Sequence, residues 1–179
     1  MSWNIDPSHS EVTFSVRHMM ISNVHGRFEK FTGKVDFNEA NPDLSTVDVQ
    51  IEAASISTRD PQRDAHLRSP DFLNADAFPY LTFRSKRLEL VDAGNGRLYG
   101  DLTIRDITRE AVLDVTYNGM SKSPWGKTSA GFSASTRINR KNWDLSWNVA
   151  LETGGVLVSD AININLEVEI IKEEQPVPA

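Results

Sequence analysis

The chain of 179 residues has the length and the apolar content of a single globular domain. Its 19 lysine and arginine residues are outnumbered by 25 aspartate and glutamate residues, and no basic block is present, which argues against binding to nucleic acid. The absence of cysteine excludes disulfides and thiolate metal sites, and no apolar run reaches the ~18 residues that suggest a membrane-spanning helix.

The opening sequence MSWNIDPSHS has no charged segment followed by an apolar core, so a secretion signal is not predicted. We therefore expect a cytoplasmic location for the chain as written, and a periplasmic location if a signal has been removed. A cysteine-free chain fits a reducing compartment.

Alternation of apolar and polar residues predicts the first strands. One face of the first strand carries Val12, Phe14, Val16 and His18. The second strand, residues 24–37, changes phase near residues 29–30, which indicates a β-bulge of the kind that bends a strand during barrel closure. A third strand is predicted over residues 47–53.

The stretch 55–83 lacks strand alternation and is typical of helix and turn. Asp60 is suited to cap a helix, and Pro61 to occupy its first position, so we predict a helix from Pro61 to Arg68. Prolines punctuate the remainder, where a short second helical turn is predicted near Asp71–Leu73.

Five further strands follow this insertion, near residues 80–90, 98–104, 111–117, 130–138 and 162–170. Hairpin turns join most of them, and the segment 139–158 is irregular. About eight antiparallel strands can close into a barrel whose interior holds side chains or one ligand. We therefore predict an all-β, antiparallel barrel of about eight strands, with the helical insertion between the third and fourth strands. It forms one domain over residues 1–171, followed by a frayed tail at residues 172–179.

Small residues occupy several inward positions of this barrel. They are Gly26, Gly33, Ala53, Gly100, Ala111, Ala130 and Ala134. Such residues either face bulky partners across the barrel, as in tapered core packing, or leave space. A hollow lumen would suit a long apolar ligand, because burial of each CH₂ group gains ~0.8 kcal/mol.

The sequence contains no recognisable catalytic or metal motif. Successive pairs among His9, His18 and His25 are an odd number of residues apart, so a strand would direct them to opposite faces. Ser133 lies in GFSAS, which is not the nucleophile elbow of serine hydrolases. We therefore assign no catalytic residue, no metal ligand and no cofactor.

The helical insertion concentrates charged residues. Arg59, Arg63, Asp64 and His66 lie within about two helical turns. One interpretation is a hydrogen-bonded cluster that closes the barrel end, with Asp60 or Asp64 pairing with Arg59 or Arg63. In the other, Arg63 and His66 contact an anionic or carbonyl head group, to which the arginine fork is well suited.

Several ordered segments resemble the YceI-like family of polyisoprenoid-binding proteins, from Trp3 to about Glu169. The segments are WNIDPSHSEVTFSVRH, SNVHGRFEKFTG, RDAHLRSPDFL, FPYLTFRS, GDLTIRDITR, AGFSASTRINR and LETGGVLVSD. The resemblance implies an extended lipocalin-like barrel with a long apolar pore that holds an isoprenoid chain. The family usually has glycine where this chain has Asp106 and Asp144. Aspartate tolerates left-handed backbone conformations, so these turns are expected to survive.

We accordingly expect non-enzymatic binding, storage or transport of a long-chain polyisoprenoid of the quinone or prenyl-phosphate type. The predicted pore lining is Phe14, Val16, Phe28, Val35, Phe83, Leu102, Phe132 and Leu166. The predicted polar contacts are His18, Arg63, Asp64 and His66. An isoprenoid lipid is the expected partner, and transient membrane contact and a homodimer are both compatible with that role.

Two alternatives remain open at the level of sequence. The first is an enzyme that acts on a lipid or isoprenoid substrate, using His18 or the cluster of Arg63, Asp64 and His66. The second is a filled barrel that serves as an interaction or stress-response module.

Overall fold

The computed structural model describes residues 2–151 and 155–172, which form an antiparallel sheet that closes on itself. The strands are β1 (Ser2–Ile5), β2 (Glu11–His18), β3 (Ser22–Phe28), β4 (Phe31–Asp36), β5 (Thr46–Glu52), β6 (Ile56–Ser57), β7 (Tyr80–Asp92), β8 (Asn95–Ile104), β9 (Ile107–Lys122), β10 (Thr128–Asn139) and β11 (Val158–Lys172). Closure occurs at β1, which pairs with both β4 and β11.

Three strands of the barrel are interrupted. A 3₁₀ turn, Pro7–His9, separates β1 from β2, and a second, Ala53–Ser55, separates β5 from β6. The break between β3 and β4 falls at Glu29 and Lys30, where the change of phase predicts a bulge. With each interrupted pair counted once, the sheet is the closed, eight-stranded antiparallel barrel predicted from the sequence.

Strand β1 is absent from the sequence-based prediction, which begins its first strand at Val12. Only Trp3 and Ile5 face inward, and Asp6 and Pro7 follow at once, so the local alternation is too short to recognise. Pairing with residues distant in sequence, such as Ile170 opposite Ile5, defines this strand.

The helix α1 extends over Pro61–Arg68, as predicted. The Asp60 carboxylate accepts hydrogen bonds from the backbone N–H groups of Gln62 and Arg63, at 3.1 and 3.2 Å, and Pro61 begins the helix. This is an N-cap followed by proline at a position whose N–H would have no helical partner. No helix within the described residues is long and apolar enough to cross a membrane.

The predicted second helical turn near Asp71–Leu73 is instead a series of hydrogen-bonded turns. The Leu73 N–H donates to the Leu67 carbonyl at 3.0 Å, and Asn74 adopts a left-handed conformation with φ of 48°. Pro70 supplies no N–H, and the left-handed residue turns the chain, so a helix cannot propagate here.

The two aspartates at family glycine positions behave differently. Asp144 has φ of 62° and ends the 3₁₀ turn Arg140–Trp143, which confirms the expected left-handed conformation. In the β8–β9 hairpin the left-handed residue is Arg105, with φ of 58°, and not Asp106. In a two-residue hairpin loop the first residue alone can have a positive φ, so Asp106, at the second position, does not need one.

The boundary of the predicted tail moves by one residue. Lys172 is the last residue of β11 and pairs with Trp3, so residue 172 belongs to the barrel. The remainder of the predicted tail, residues 173–179, lies outside the described residues.

The turn between β1 and β2 should make a small pH-dependent contribution to stability. His9 Nδ1 lies 2.7 Å from Asp6 Oδ2, and this hydrogen bond raises the pKa of His9 and, with help from Ser8, lowers the pKa of Asp6. A raised histidine pKa stabilises the folded state below the unfolded value of 6.5, and the stabilisation is lost as pH rises through the folded value. The Asp6 contribution is present above its unfolded value of 3.8 and is lost as pH falls through the folded value.

We therefore expect the difference in melting temperature between the unmodified protein and His9→Gln to be largest between the unfolded pKa of Asp6, 3.8, and the unfolded pKa of His9, 6.5. Melting curves at a series of pH values test this expectation. A difference that stays constant as the pH rises well above 6.5 would contradict it.

Candidate functional site

Side chains on the inner face of the barrel are incompletely buried along its middle. On β11 the partly buried inward residues are Ile162, Ile164, Leu166 and Val168, which alternate with exposed outward residues. Ile170, farther along the same inner face, is 0% exposed. Ile164 and Leu166 lie on the inner face, so their accessibility indicates space inside the barrel.

Strand register shows which residues surround this space. Five residues on adjacent strands lie side by side in one rung: Phe28, Val12, Leu166, Ala134 and Val115. Residues directly opposite in antiparallel strands point to the same face, so the whole rung faces the lumen. The side chains of this rung are apolar, so these five strands present no polar side chain to the lumen at this level.

The buried residues of the described chain form two separate clusters. The smaller cluster consists of Phe83, Leu98 and Ala111. Partly buried Val47, Val49 and Leu102 contact both this cluster and the larger one. In a filled barrel the residues between two parts of the core would be buried. Val47, Val49 and Leu102 are instead partly accessible to solvent, which indicates space between the two clusters.

One end of the lumen, which we call the base, is closed by aromatic side chains. The base consists of Trp3, Phe37, Tyr117 and Phe132, whose neighbouring ring centroids lie 5.3–5.8 Å apart. Trp3 is 0% exposed. Burial and the nearby Glu39 carboxylate raise the pKa of the Tyr117 hydroxyl.

The indole Nε1–H of Trp3 is buried without an acceptor in the described part of the chain. A buried donor left unpaired costs ~1–3 kcal/mol, so this group is available to a polar atom of a ligand or to water. Sequence reasoning does not identify Trp3 as a contact, because a single tryptophan before the first recognised strand carries no pattern.

The opposite end, which we call the helical end, is closed by α1 and the segment 140–151. Arg140 is only 1% exposed, and it donates to the carbonyls of Leu145, Ser159 and Val158 at 2.5, 2.9 and 3.4 Å. Burial lowers the pKa of its guanidinium. Sequence reasoning missed Arg140, because nothing in the sequence indicates a buried arginine that pairs with backbone carbonyls.

The two tryptophans of this segment, Trp143 and Trp147, pack at the helical end. Trp143 is buried, and its Nε1–H donates to the Leu102 carbonyl at 2.8 Å. Trp147 packs its ring against His66 and Phe72, with centroids 4.6 and 5.3 Å apart.

Closure at the helical end is uneven around the barrel. Ile104 and Ile138 are buried where β8 and β10 end. On β2, by contrast, the inward residues Phe14, Val16 and His18 are all only partly buried. We call the region formed by His18, its pairing partner Val158 and the neighbouring Val24 the mouth of the lumen.

A groove of about 530 Å³ lies on the surface where β1 and β2, and β3 and β4, are interrupted. Its lining includes Val12 and Phe28, which also belong to the lumen rung. Apolar lumen residues therefore approach the outer surface at the strand breaks as well as at the mouth.

Four of the seven small inward residues leave no space around them. A Cβ atom added at Gly26 would overlap the Phe14 ring, and one added at Gly100 would overlap the Phe83 ring. Ala53 and Ala130 are fully packed, at 0% and 1% exposure. These four small residues are packed against neighbouring side chains and leave no space, whereas Ala134, in the rung of Leu166, is partly buried and borders the lumen.

Six predicted lining residues lie among the partly buried inward side chains. They are Phe14, Val16, Phe28, Leu102, Phe132 and Leu166. Val35 and Phe83, the remaining two, are each 8% exposed and belong to the packed clusters. The partly buried set also includes residues that were not singled out, namely Val47, Val49, Ile164 and Val168.

Two predicted polar contacts are engaged in hydrogen bonds within the insertion. Arg63 donates through Nε to the Thr58 hydroxyl and through Nη2 to the Thr58 carbonyl, both at 2.8 Å. The buried Asp64 carboxylate accepts from the Thr58 N–H at 2.8 Å and from its hydroxyl at 2.5 Å. This geometry favours a structural role, in which Arg63 and Asp64 fasten α1 to the preceding strand.

The two predicted histidine contacts lie in different settings. His66 Nε2 is 2.8 Å from Asp71 Oδ2, and its ring meets the edge of Trp147. His18 lies at the mouth, and its ring makes no hydrogen bond within the described residues. No hydrogen bond or ion pair in the described chain joins His18 to Arg63, Asp64 or His66, so the four predicted polar residues do not form one hydrogen-bonded cluster.

A possible cation site lies outside the lumen, at the turn between β1 and β2. One ligand atom from each of Asp6, His9 and Glu169 lies within 4.8 Å of the others. The spacing of histidines in the sequence does not reveal this group, because Glu169 lies far along the chain from Asp6 and His9. The hydrogen bonds from Ser8 and His9 to Asp6 already account for the position of its carboxylate.

Comparison with known proteins identifies the family. Residues 3–170 match the YceI-like domain. A UPF0312 protein of Staphylococcus aureus (strain N315) is 36% identical over 171 residues, which cover 94% of this chain and 96% of that protein. A Campylobacter jejuni YceI protein of known crystal structure is 34% identical, with a TM-score of 0.76 over 88% of this chain and 90% of that one.

A more distant structure shares the fold. It is described as a polyisoprenoid binding domain from Saccharophagus degradans and is 12% identical, with a TM-score of 0.66 over 96% of this chain and 98% of that one. The match over nearly the whole sequence, together with the closed barrel, shows that this chain belongs to the YceI-like family.

Proposed function

We propose that this protein binds a lipid by enclosing its apolar chain in the barrel lumen. The observation that carries the proposal is the contrast on one face of β11, where Ile170 is fully buried and Ile164 and Leu166 remain accessible. The description of the Saccharophagus degradans domain as polyisoprenoid binding supports the same class of ligand.

The lining favours a long, branched hydrocarbon chain. Burial of each CH₂ group gains ~0.8 kcal/mol, whereas ordering a flexible group costs ~0.5–1.5 kcal/mol. Several isoprene units, each with five carbons, therefore outweigh the cost of holding the chain in one place. We propose a long-chain polyisoprenoid of the quinone or prenyl-phosphate type, bound for storage or transport.

The proposed role is binding without chemical change of the lipid. Arg63 and Asp64, the candidate groups of a lipid enzyme, direct their hydrogen bonds to Thr58. The rung around Leu166 is apolar and contains no acid, base or nucleophile. The polar end of the lipid is proposed to meet His18 at the mouth or the unpaired Trp3 N–H at the base.

Organic extraction of the purified protein, followed by mass spectrometry, tests the proposal directly. We expect a long-chain isoprenoid from the native protein, and uptake of an added prenyl quinone or prenyl phosphate by the emptied protein. Repeated recovery of no lipid, together with no uptake of either compound, would overturn the proposal.

The Gly26→Ala substitution should reduce lipid uptake. Its added methyl group overlaps the far end of the flexible Phe14 side chain, so we expect the ring to swing off the wall and into the lumen. A second substitution, Phe14→Ala, should restore uptake in the Gly26→Ala background. Binding of a fluorescent prenyl analogue measures both effects.

Gly94→Ala is the matched control, because a Cβ atom at Gly94 meets nothing within 4 Å. This variant should bind as the unmodified protein does. Unchanged uptake by Gly26→Ala, with the variant folded, would show that the Phe14 ring does not border the ligand.

A further inference from the structure

We propose that two neighbouring loops beside the mouth dock the protein on the surface of a lipid bilayer, an inference that rests on the proposed lipid binding. The docking surface, which we call the rim, consists of Met19, Met20, Ile21, Val149 and Val156. All five side chains are exposed, and Ile21 is exposed to 76%.

Backbone contacts join the two loops into one surface. The Met19 N–H donates to the Leu157 carbonyl at 2.8 Å, and the Leu157 N–H donates to the Val149 carbonyl at 2.9 Å. The Met20 side chain lies over Gly155, where an added Cβ atom would be 3.1 Å from Met20 Cγ. The exposed apolar side chains therefore form a patch rather than scattered single residues, and such patches mark interaction sites.

The turn at the tip of the β2–β3 hairpin is unfavourable for its residues. Met19 and Met20 have φ of 52° and 65°, and the Ile21 N–H donates to the His18 carbonyl at 3.2 Å. Hairpin turns with two positive φ values favour asparagine and glycine, whereas methionine has no polar group to stabilise this conformation. Strained residues of this kind are found where function requires them, and here the strain places two long apolar side chains at the tip.

The charge of the loops suits a lipid surface. Residues 17–23, 145–151 and 155–158 contain one charged residue, Arg17, in a chain of net charge −6. Arg17 is exposed, and its Nη2 donates to the Met20 carbonyl at 3.3 Å, which holds a cation beside the apolar tip. Anionic lipid head groups attract basic residues and repel carboxylates, so this composition fits a bilayer better than a basic protein partner. Glu152, between the two segments of the second loop, lies outside the described residues.

The rim is continuous with the lumen. Val158 follows the second loop directly and pairs with His18, which precedes Met19. The next inward pair, Val16 and Ile162, belongs to the lumen lining. A lipid that leaves a bilayer at the rim therefore meets apolar residues from the membrane surface to the lumen.

Co-sedimentation with vesicles of phosphatidylcholine and phosphatidylglycerol tests the proposal. We expect the unmodified protein to sediment with the vesicles and Ile21→Asp to bind about tenfold more weakly, because an aspartate replaces an inserted isoleucine. Trp125→Ser is the matched control, since Trp125 is 87% exposed in the β9–β10 hairpin at the base end. It should bind vesicles as the unmodified protein does.

Met20→Gly provides a second variant, in which a loss of vesicle binding can be distinguished from a loss of stability. Glycine accepts the positive φ of this position, so the variant should melt at a higher temperature than the unmodified protein while it binds vesicles more weakly. A parallel loss of stability and vesicle binding would instead indicate that Met20 acts only by packing on Gly155, and would contradict the proposal.

Lipid extraction separates docking from lipid binding. Ile21→Asp loaded with a prenyl compound before the assay should retain this compound. A loss of vesicle docking can therefore be observed while lipid binding is intact. The docking proposal is overturned if the unmodified protein does not sediment with vesicles, or if Trp125→Ser loses binding and Ile21→Asp does not. It is also overturned if Ile21→Asp changes only the oligomeric state in gel filtration, which would make the rim a contact between two copies of the chain.

Discussion

Replacement of Leu166 by tryptophan should reduce lipid recovery to background without unfolding the protein. Leu166 lies in a rung of five inward residues that includes Val12 and Ala134, and its side chain is accessible from the lumen. In a packed core such an enlargement costs ~1–3 kcal/mol or more. In a hollow lumen the indole fills the space of the ligand, so the free energy of unfolding of the lipid-free protein should stay the same or increase.

Ile170→Trp is the matched control on the same strand and the same inner face. Ile170 is 0% exposed, so an indole at this position has no space and should destabilise the protein strongly. Urea unfolding of both variants, with lipid removed, measures the difference. Equal destabilisation by the two substitutions would show that the lumen at Leu166 is filled, contrary to our account.

Arg140→Ala should lower the free energy of unfolding by about 3–5 kcal/mol. The substitution removes a buried guanidinium and takes a donor from the carbonyls of Leu145, Ser159 and Val158, of which Val158 keeps a hydrogen bond from the Asn148 side chain at 2.7 Å. These bonds hold the segment after β10 against the start of β11, so their loss should loosen the helical end. Arg140→Lys should recover only part of the stability, because one ammonium cannot reproduce the spread of the guanidinium fork.

Denaturant unfolding checks this expectation, with Arg137→Ala as the control. Arg137 lies on β10, shortly before Arg140 in sequence, but it is exposed and should contribute less than about 0.5 kcal/mol. A loss below about 1 kcal/mol for Arg140→Ala would mean that water replaces the guanidinium at low cost. The proposed closure of the helical end by Arg140 would then be wrong.

Local sequence patterns predict most of the barrel. The period-two alternation of β11 is regular from Ile162 to Ile170, and the structure pairs this strand with β10 over its length. The start of α1 was also predictable, because Asp60 and Pro61 act on backbone groups within one helical turn. Such features depend on neighbours in sequence, and the sequence therefore specifies them locally.

Features that depend on distant pairing were harder to predict. Strand β1 is defined by hydrogen bonds to β4 and β11, and its four residues carry too little alternation to be recognised alone. Gly26 likewise indicates a close approach, but only the register of β2 and β3 shows that the Phe14 ring occupies the place of its missing side chain.

The candidate site was predicted in outline rather than in detail. Alternation assigns Leu166 and Ile170 to the same inner face but cannot show that one borders open space and the other lies beneath a closed base. That difference arises from Trp3 and Phe37, which reach the base from other parts of the chain. For the same reason the sequence could not decide the role of Arg63, whose partner Thr58 lies outside the helix.

A crystal structure of the protein saturated with a long-chain prenyl quinone tests the central claim most directly. Our account predicts continuous elongated density along the barrel axis, in contact with Ile164 and Leu166 and ending at the base. It would be contradicted by a structure in which the side chains of the protein itself fill the axis from the base to the helical end, with the added compound bound outside or absent.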